Sequence, residues 1–452
     1  MSAIHRLVVV GGVAAGMSAA SQAKRRQPDL EVVVFEQGRW VSYGACGMPY
    51  NIQDPRRAID DLVVITPERF RTQRHIDVRI NHRVEEIDLA GSRVRVQGPH
   101  GDSWEGFDGL VLATGCRPRL PRVDGVRLPG VFVLHTLDDA ARIKEYLQRD
   151  DLRRAVIVGG GHIGLEMADV FCARGLAVTV LKRSPSLPPG YPDDIGTLLR
   201  AELDKHGVEL LSGITLLGIE GDDRVRQVHT DQGRLPADLV LLATGVQPNV
   251  ELARAAGIQL GDSGAIAVSA GMATSATRVW AAGDCAEAYH RQMARGLFLP
   301  RGTTANKQGR IAGANASGAS ESFGGVLGTS VTKVFSLAVG HTGLFENQAA
   351  ELGLQPAAVS IKAATRAHAY PGARQITVRL VFAPSSGKLL GGQIAGGEAV
   401  AKRLDVLAAA IQAGWTIDDL AGLDASYAPP FAPVWDPLLV AANVARKQVR
   451  RS

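Results

Sequence analysis

The chain has 452 residues, 46% of them hydrophobic and 5% aromatic, with 51 glycines, 22 prolines and four cysteines. At roughly 150 residues per domain this length suggests about three domains, each able to bury a core without disulfides or structural metals, which excludes a disordered chain, a collagenous rod and a disulfide-dense secreted module. The 50 basic residues exceed the 45 acidic ones by five and are mostly scattered arginines, a solvated surface with no nucleic-acid or membrane block, and the tail ARKQVRRS is too short to change that.

Leu7–Val10 is a β-branched run followed by Gly11-Gly12-Val13-Ala14-Ala15-Gly16, a small-residue helix to about Arg26 and the buried strand Glu31–Glu36. The opening has the look of a secretory signal, but its glycines stand where a phosphate-binding turn needs them. Gly11 permits the tight turn, Gly16 lets helix approach strand, and Val13 takes the middle glycine's place. The amides of Val13, Ala14 and Ala15 then face a pyrophosphate, and Glu36 ends the second strand where a carboxylate accepts from ribose hydroxyls.

Cys46 follows in Ser42-Tyr43-Gly44-Ala45-Cys46-Gly47-Met48-Pro49-Tyr50, a small-residue turn. If a helix starts there, its N-terminus favours the thiolate, which is the competent nucleophile. Cys116, Cys172 and Cys285 lie far away with no CxxC, so neither a zinc ribbon nor a local dithiol is expected, no metal site is predicted, and the usage suits a reducing cytosol.

Gly109–Arg119 (GLVLATGCRPR) is a buried strand that leaves its sheet through Thr114-Gly115. The first unit's pattern then recurs: strand Ala155–Val158, a complete turn with Gly159, Gly161 and Gly164, a helix to about Gly175, and strand Ala177–Leu181. His162 and Ile163 open that helix. No acid stands at the end of this second strand; Lys182 and Arg183 instead offer cations to a 2′-phosphate, which points to NADPH over NADH.

A second exit, Asp238–Asn249 (DLVLLATGVQPN), passes through Thr244-Gly245, and Val279–Asp284 (VWAAGD) is a strand ending in Gly283-Asp284. Asp284 is placed to accept from a ribityl hydroxyl, with the N-terminus of the following helix aimed at a flavin. Two dinucleotide turns imply two cofactors, FAD at the first and the nicotinamide at the second. After about Ser320 come alternating runs such as Gln375–Phe382, a helix near Ala399–Ala413 and the Pro-rich Tyr427–Pro437, an α+β domain.

GGVAAG, SYGACGMPY, GGGHIGLE, both ATG segments, VWAAGD, ANKQGR, KRLDV and YAPPF together resemble the flavoprotein pyridine nucleotide-disulfide oxidoreductases over essentially the whole chain. The likeness is to their single-cysteine branch, the coenzyme A disulfide reductases with their CoA-persulfide reductase and NADH oxidase relatives. It implies an α/β fold with two Rossmann-like domains, for FAD and NAD(P), and an α+β C-terminal dimerisation domain. The expected boundaries are 1–120 and 246–322 for FAD, 121–245 for NAD(P) and 323–452 for dimerisation.

The resemblance further implies that Cys46 forms a mixed disulfide with CoA or takes sulfur from its persulfide, using electrons from NADPH or NADH through FAD. Tyr427, in YAPPF, would protonate the leaving thiolate from the partner subunit of a homodimer. Where relatives carry two tyrosines before Pro-Gly this chain has Ala369-Tyr370, so Tyr370 either substitutes or packs. Arg25, Ser42, Arg74, Asn306 and Arg310 are implied CoA contacts, and Glu166 lies near the expected nicotinamide. No rhodanese-like module follows YAPPF, which favours plain CoA disulfide. An NAD(P)H oxidase cycling Cys46 through sulfenic acid, and a low-turnover flavin redox sensor, are the alternatives. A cytoplasmic enzyme that binds neither nucleic acid nor membrane is expected.

Overall fold

The structure, a computed structural model, describes residues 4–184, 187 and 190–450, so the last two residues of the basic tail lie outside it. The chain forms two compact units: Met1–Arg119 with His135–Glu145 and Gly245–Val326, and Leu120–Leu134 with Tyr146–Thr244 and Leu327–Ser452.

The first unit is built on a parallel sheet whose strands run in the order Val279–Ala281, Gly109–Leu112, Arg6–Val10, Glu31–Glu36, Asp77–Ile80. Its inner strands are continuous apolar runs because both faces are covered. The signal-like opening is thus the central strand and the helix Ala14–Arg26. Against that helix lies Gly302–Ala316, and the approach is backbone to backbone. A Cβ on Gly309 would stand 2.2 Å from the Ala15 carbonyl oxygen, and one on Gly313 would stand 2.1 Å from that of Ala19.

The two ATG exits meet. Cys116–Pro118 and Val246–Pro248 pair antiparallel, and Thr114 and Asn249 exchange bonds, Thr114 Oγ1 to the Asn249 carbonyl at 2.7 Å and Asn249 Nδ2 to the Thr114 carbonyl at 2.8 Å. Each exit is legible in the sequence, but their pairing is a long-range contact with no local signal.

The second unit holds a parallel sheet in the order Glu209–Ser212, Ala177–Lys182, Arg154–Val158, Leu239–Leu242, Val131–Phe132. It also holds an antiparallel sheet in the order Ser330–Val334, Leu337–Gly343, Leu389–Gly396, Gln375–Phe382, Ala357–Ala364. The helices Val400–Ala413 and Pro437–Ala445 bury Leu404, Leu407, Leu438 and Ala442 in the same core as Ile376, Val378, Leu380 and Ile394. The predicted strand at Gln375–Phe382 and helix near Ala399–Ala413 are both present. The fold is the expected α/β class with two glycine-turn sheets and an α+β C-terminal part.

Candidate active site

In the first turn Gly11 has φ 108°, and a side chain there would strike the Ala113 carbonyl at 2.1 Å; at Gly16 it would strike the Gly11 carbonyl at 1.8 Å. The helix that follows begins at Ala14 with Val13 at its N-cap, without a side-chain cap and without an acid in its first turn. Its first amides are therefore open to an anion. Glu36 accepts the N–H groups of Gly12 and Gly38, each at 2.7 Å, yet burial pushes its carboxyl above the ordinary range. Ala15 packs under Gly283, whose φ of 83° admits only glycine comfortably.

Asp284 is half-buried, accepts from the Cys116 thiol at 3.5 Å and from the Arg301 N–H, and its carboxyl is likewise raised by desolvation. The helix expected directly after it is preceded by a hairpin, Ala288–His290 with Arg295–Leu297, and starts at Gly302; the chain returns so that Arg301, its N-cap, reaches Asp284. Gln308 on that helix is fully buried, accepts the Gly283 N–H at 2.9 Å and donates to the Glu287 carbonyl at 2.9 Å. It fixes the Gly283-Asp284 turn, a role that no local pattern in ANKQGR discloses. Gly115 and Gly245 follow the two exit threonines, Thr114 and Thr244, with φ 66° and 93° and open space where a Cβ would be. Uncapped amides, cleared glycines and two half-buried carboxylates with no hydroxyl donor among the described residues fit a dinucleotide with ribose and ribityl groups.

The second turn repeats the pattern. Gly159 has φ 122° and would clash with the Ala243 carbonyl at 2.2 Å; Gly164 would clash with the Gly159 carbonyl at 2.0 Å. Gly161 faces open space at the uncapped N-terminus of His162–Ala173, and Ile163 is exposed. Lys182 departs from expectation: it is buried, its stem lies against Gly160 and its ammonium donates to the Ser184 carbonyl, so desolvation lowers its pKa. Arg183 alone of the predicted pair is exposed.

Glu166 is half-buried, accepts from the Thr332 hydroxyl at 2.9 Å, and is pushed above the usual carboxylate range by desolvation. A carboxyl raised in the folded chain stabilises that chain fully below its unfolded pKa of about 4.5 and progressively less as pH rises. Glu166→Gln should therefore raise the melting temperature of the ligand-free protein at pH 8, with the gain shrinking towards pH 4.5. Thermal unfolding across that range checks it, and a pH-independent difference would contradict it.

Cys46 is the exposed cysteine. It sits in the 3₁₀ turn Ala45–Gly47, and a helix does begin just beyond, Met48–Gln53, though it is only six residues long. Ser42, at φ 49°, donates its N–H to the Gly12 carbonyl at 2.9 Å, which ties the cysteine segment to the first glycine turn. Beyond that helix the Lys144 ammonium donates to the carbonyls of Asn51, Asp54 and Arg57 and to Asn51 Oδ1. No spacing argument could have paired Lys144 with this turn. The other thiols are ill suited to attack. Cys285 is buried and donates to the Leu112 and Ala282 carbonyls, Cys116 is held on Asp284 with its pKa raised, and half-buried Cys172 is pushed up to about 11.

Three of the implied CoA contacts gather around the Ala14–Arg26 helix. Arg25 donates to Gln22 at 2.7 Å, Arg74 to Ser21 at 3.2 Å, and Asn306 accepts from Ser18 at 2.7 Å. Arg310 is exposed one turn beyond Asn306. In the second unit, the Tyr370 and Tyr427 loops adjoin through the Ala367 N–H and the Pro429 carbonyl at 3.2 Å; both tyrosines are exposed, and Arg366 lies 5.8 Å from the Tyr370 ring. Among the described residues no group of three or more His, Cys, Asp or Glu is placed to hold a metal, and no helix is long and apolar enough to cross a membrane.

Comparison with known proteins matches the family model "Pyridine nucleotide-disulphide oxidoreductase" over residues 5–312 and its "dimerisation domain" over residues 329–437. A protein of Pyrococcus horikoshii named NAD(P)H coenzyme A polysulfide/persulfide reductase is 42% identical, over 97% of this chain and 98% of its own. An NADH oxidase of Methanocaldococcus jannaschii is 35% identical over 98% and 99%. The solved NAD-dependent persulfide reductase from A. fulgidus superimposes with a TM-score of 0.95 at 36% identity, covering 98% of this chain and 83% of that one.

Proposed function

This chain belongs to the pyridine nucleotide-disulphide oxidoreductases, and we propose that it uses NADPH, or NADH, to reduce the sulfur–sulfur bond of coenzyme A disulfide or CoA persulfide at Cys46. The observation that carries this reading is one exposed thiol, with two of the others buried and the third half-buried. With no second thiol to close an internal disulfide, the oxidised partner comes from outside. The names of relatives at 42% and 36% identity support an acceptor of this kind.

FAD, when bound, relays two electrons from NAD(P)H to the S–S bond. In our reading the first glycine turn, Glu36, Thr114-Gly115 and Gly283-Asp284 hold it, across 1–120 and 246–322. The second turn, with His162, Ile163, Glu166, Thr244-Gly245 and Arg183, holds the nicotinamide cofactor in 121–245. Residues 323–452 pair two copies. The Cys46 thiolate attacks one sulfur of the CoA disulfide, the S–S bond breaks, and CoA leaves as a thiolate protonated by the Tyr427 hydroxyl of the second copy, with Tyr370 beside it. Two electrons then cleave the Cys46–CoA disulfide, releasing the second CoA and restoring the thiolate. Arg25, Ser42, Arg74, Asn306 and Arg310 bind the CoA phosphates and polar groups.

Anaerobic and aerobic turnover test the reading. NADPH consumption should need CoA disulfide or persulfide and be nearly insensitive to oxygen; full-rate consumption with oxygen alone would make the chain an oxidase. Because Lys182 is turned inward, Arg183 is left as the contact for a 2′-phosphate. A lost charge-assisted bond of about 1.5–3 kcal/mol predicts that Arg183→Ala lowers kcat/KM for NADPH at least about tenfold and leaves NADH unchanged. Steady-state kinetics with both donors checks this, and an unchanged ratio would remove Arg183 from the site.

A further inference from the structure

Arg403, the arginine of KRLDV, is 7% exposed on the helix Val400–Ala413. Its Nε donates to Asp436 Oδ2 at 2.9 Å, Nη2 stands 2.8 Å from the same oxygen as an ion pair, and Nη2 donates to the Thr365 carbonyl at 3.3 Å. Asp436 spends its other oxygen on the Leu438 N–H at 2.9 Å, capping the helix Pro437–Ala445. Thr365 closes the base of the next loop. Its N–H donates to the Arg374 carbonyl, its hydroxyl accepts the Arg374 N–H at 3.0 Å, and the same hydroxyl donates to Glu398.

One guanidinium therefore ties the start of the segment that carries Tyr370 to the end of the segment that carries Tyr427. Between these anchors the Ala367 N–H donates to the Pro429 carbonyl at 3.2 Å. In the Tyr427 segment Tyr427, Phe431, Val434 and Trp435 are 50%, 75%, 65% and 62% exposed, while Ala432 is buried. Stability alone is a poor reason for such an arrangement. The Arg403 Nη1 is buried with no hydrogen-bond partner among the described residues. Burying an ion pair with a donor unmet commonly costs as much as it gains, whereas a fixed relative geometry is something apolar packing supplies less well.

We propose that Arg403 is a positioning residue for the disulfide-cleaving step, setting the Tyr370 and Tyr427 loops through Thr365 and Asp436. This rests on the reading of Tyr427 as the acid. Misplacing a catalytic group by about 1 Å can cost on the order of 100-fold, and a lost general acid on the order of 100-fold or more.

The test separates the half-reactions in the holoenzyme, following flavin absorbance by stopped flow. Arg403→Met should be bleached by NADPH within about twofold of the native rate, yet be reoxidised by CoA disulfide at least about tenfold more slowly. Arg403→Lys should recover part of that loss, and Arg403→Met combined with Tyr427→Phe should be little slower than Tyr427→Phe alone. Asp436→Asn, which keeps the helix cap and removes the ion pair, gives the same reading if Arg403→Met does not fold. Native reoxidation in Asp436→Asn and Arg403→Met, or losses that multiply in the double variant, would overturn the proposal. If Tyr427→Phe is itself reoxidised at the native rate, the acid assignment fails; if Tyr427→Phe is slow and Arg403→Met is not, only the positioning role fails.

Discussion

Replacing Cys46 by serine should cost CoA disulfide reduction on the order of 1000-fold or more while leaving NADPH able to bleach the bound flavin. A serine hydroxyl cannot form the mixed disulfide, so the oxidative half-reaction loses its only route. None of the other three thiols offers a substitute. The Cys116 thiol is committed to Asp284, Cys285 is enclosed, and Cys172 stays protonated near neutral pH with a pKa of about 11. The reductive half-reaction needs the two glycine turns and not the thiol, so it should persist. Stopped-flow absorbance with NADPH, then with CoA disulfide, measures both. A serine variant that kept full disulfide turnover would disprove the mechanism, whereas one that also failed to bleach would show a collapsed site.

Cys46 could be singled out from sequence because its surroundings are local: a run of small residues, then Met48-Pro49 starting a helix. The glycine turns were legible for the same reason, since a strand, a turn with fixed glycine offsets and a helix are contiguous. What stayed hidden is what joins distant stretches. Lys144 closing on the carbonyls behind Cys46, Gln308 gripping Gly283, the pairing of the two ATG exits and the Arg403 node all depend on contacts across long loops. Lys182 differs from its sequence reading for a local reason. Its place at a strand end suggested a solvated cation, but the stem had an apolar seat against Gly160 and a carbonyl within reach, so the ammonium turned in and left Arg183 outside.

Gly16→Val should be the most damaging single change in the first unit. A Cβ there would stand 1.8 Å from the Gly11 carbonyl oxygen and 3.2 Å from Val9, and the nearest atom is backbone. The strand and helix would have to separate, at a cost beyond the ~1–3 kcal/mol of ordinary overpacking, and the turn that faces the pyrophosphate would separate with them. The expected outcome is protein without FAD and with a melting temperature several degrees lower. Gly161→Ala is the contrast. With open space around it, that variant should fold, retain FAD and show its defect in KM for NADPH. Flavin absorbance of the purified proteins and thermal unfolding decide the matter. Normal FAD content in Gly16→Val would refute the close helix–strand approach.

Trapping the covalent intermediate reaches the central claim most directly. The protein with Cys46 as the free thiol and its flavin oxidised, treated with CoA disulfide and digested without reductant, should give a mass spectrum in which the Cys46 peptide carries one CoA in disulfide linkage. The peptides of Cys116, Cys172 and Cys285 should be unmodified, and NADPH should release the adduct. Turnover of CoA disulfide with Cys46 never modified, or a CoA adduct on one of the other three cysteines, would contradict it.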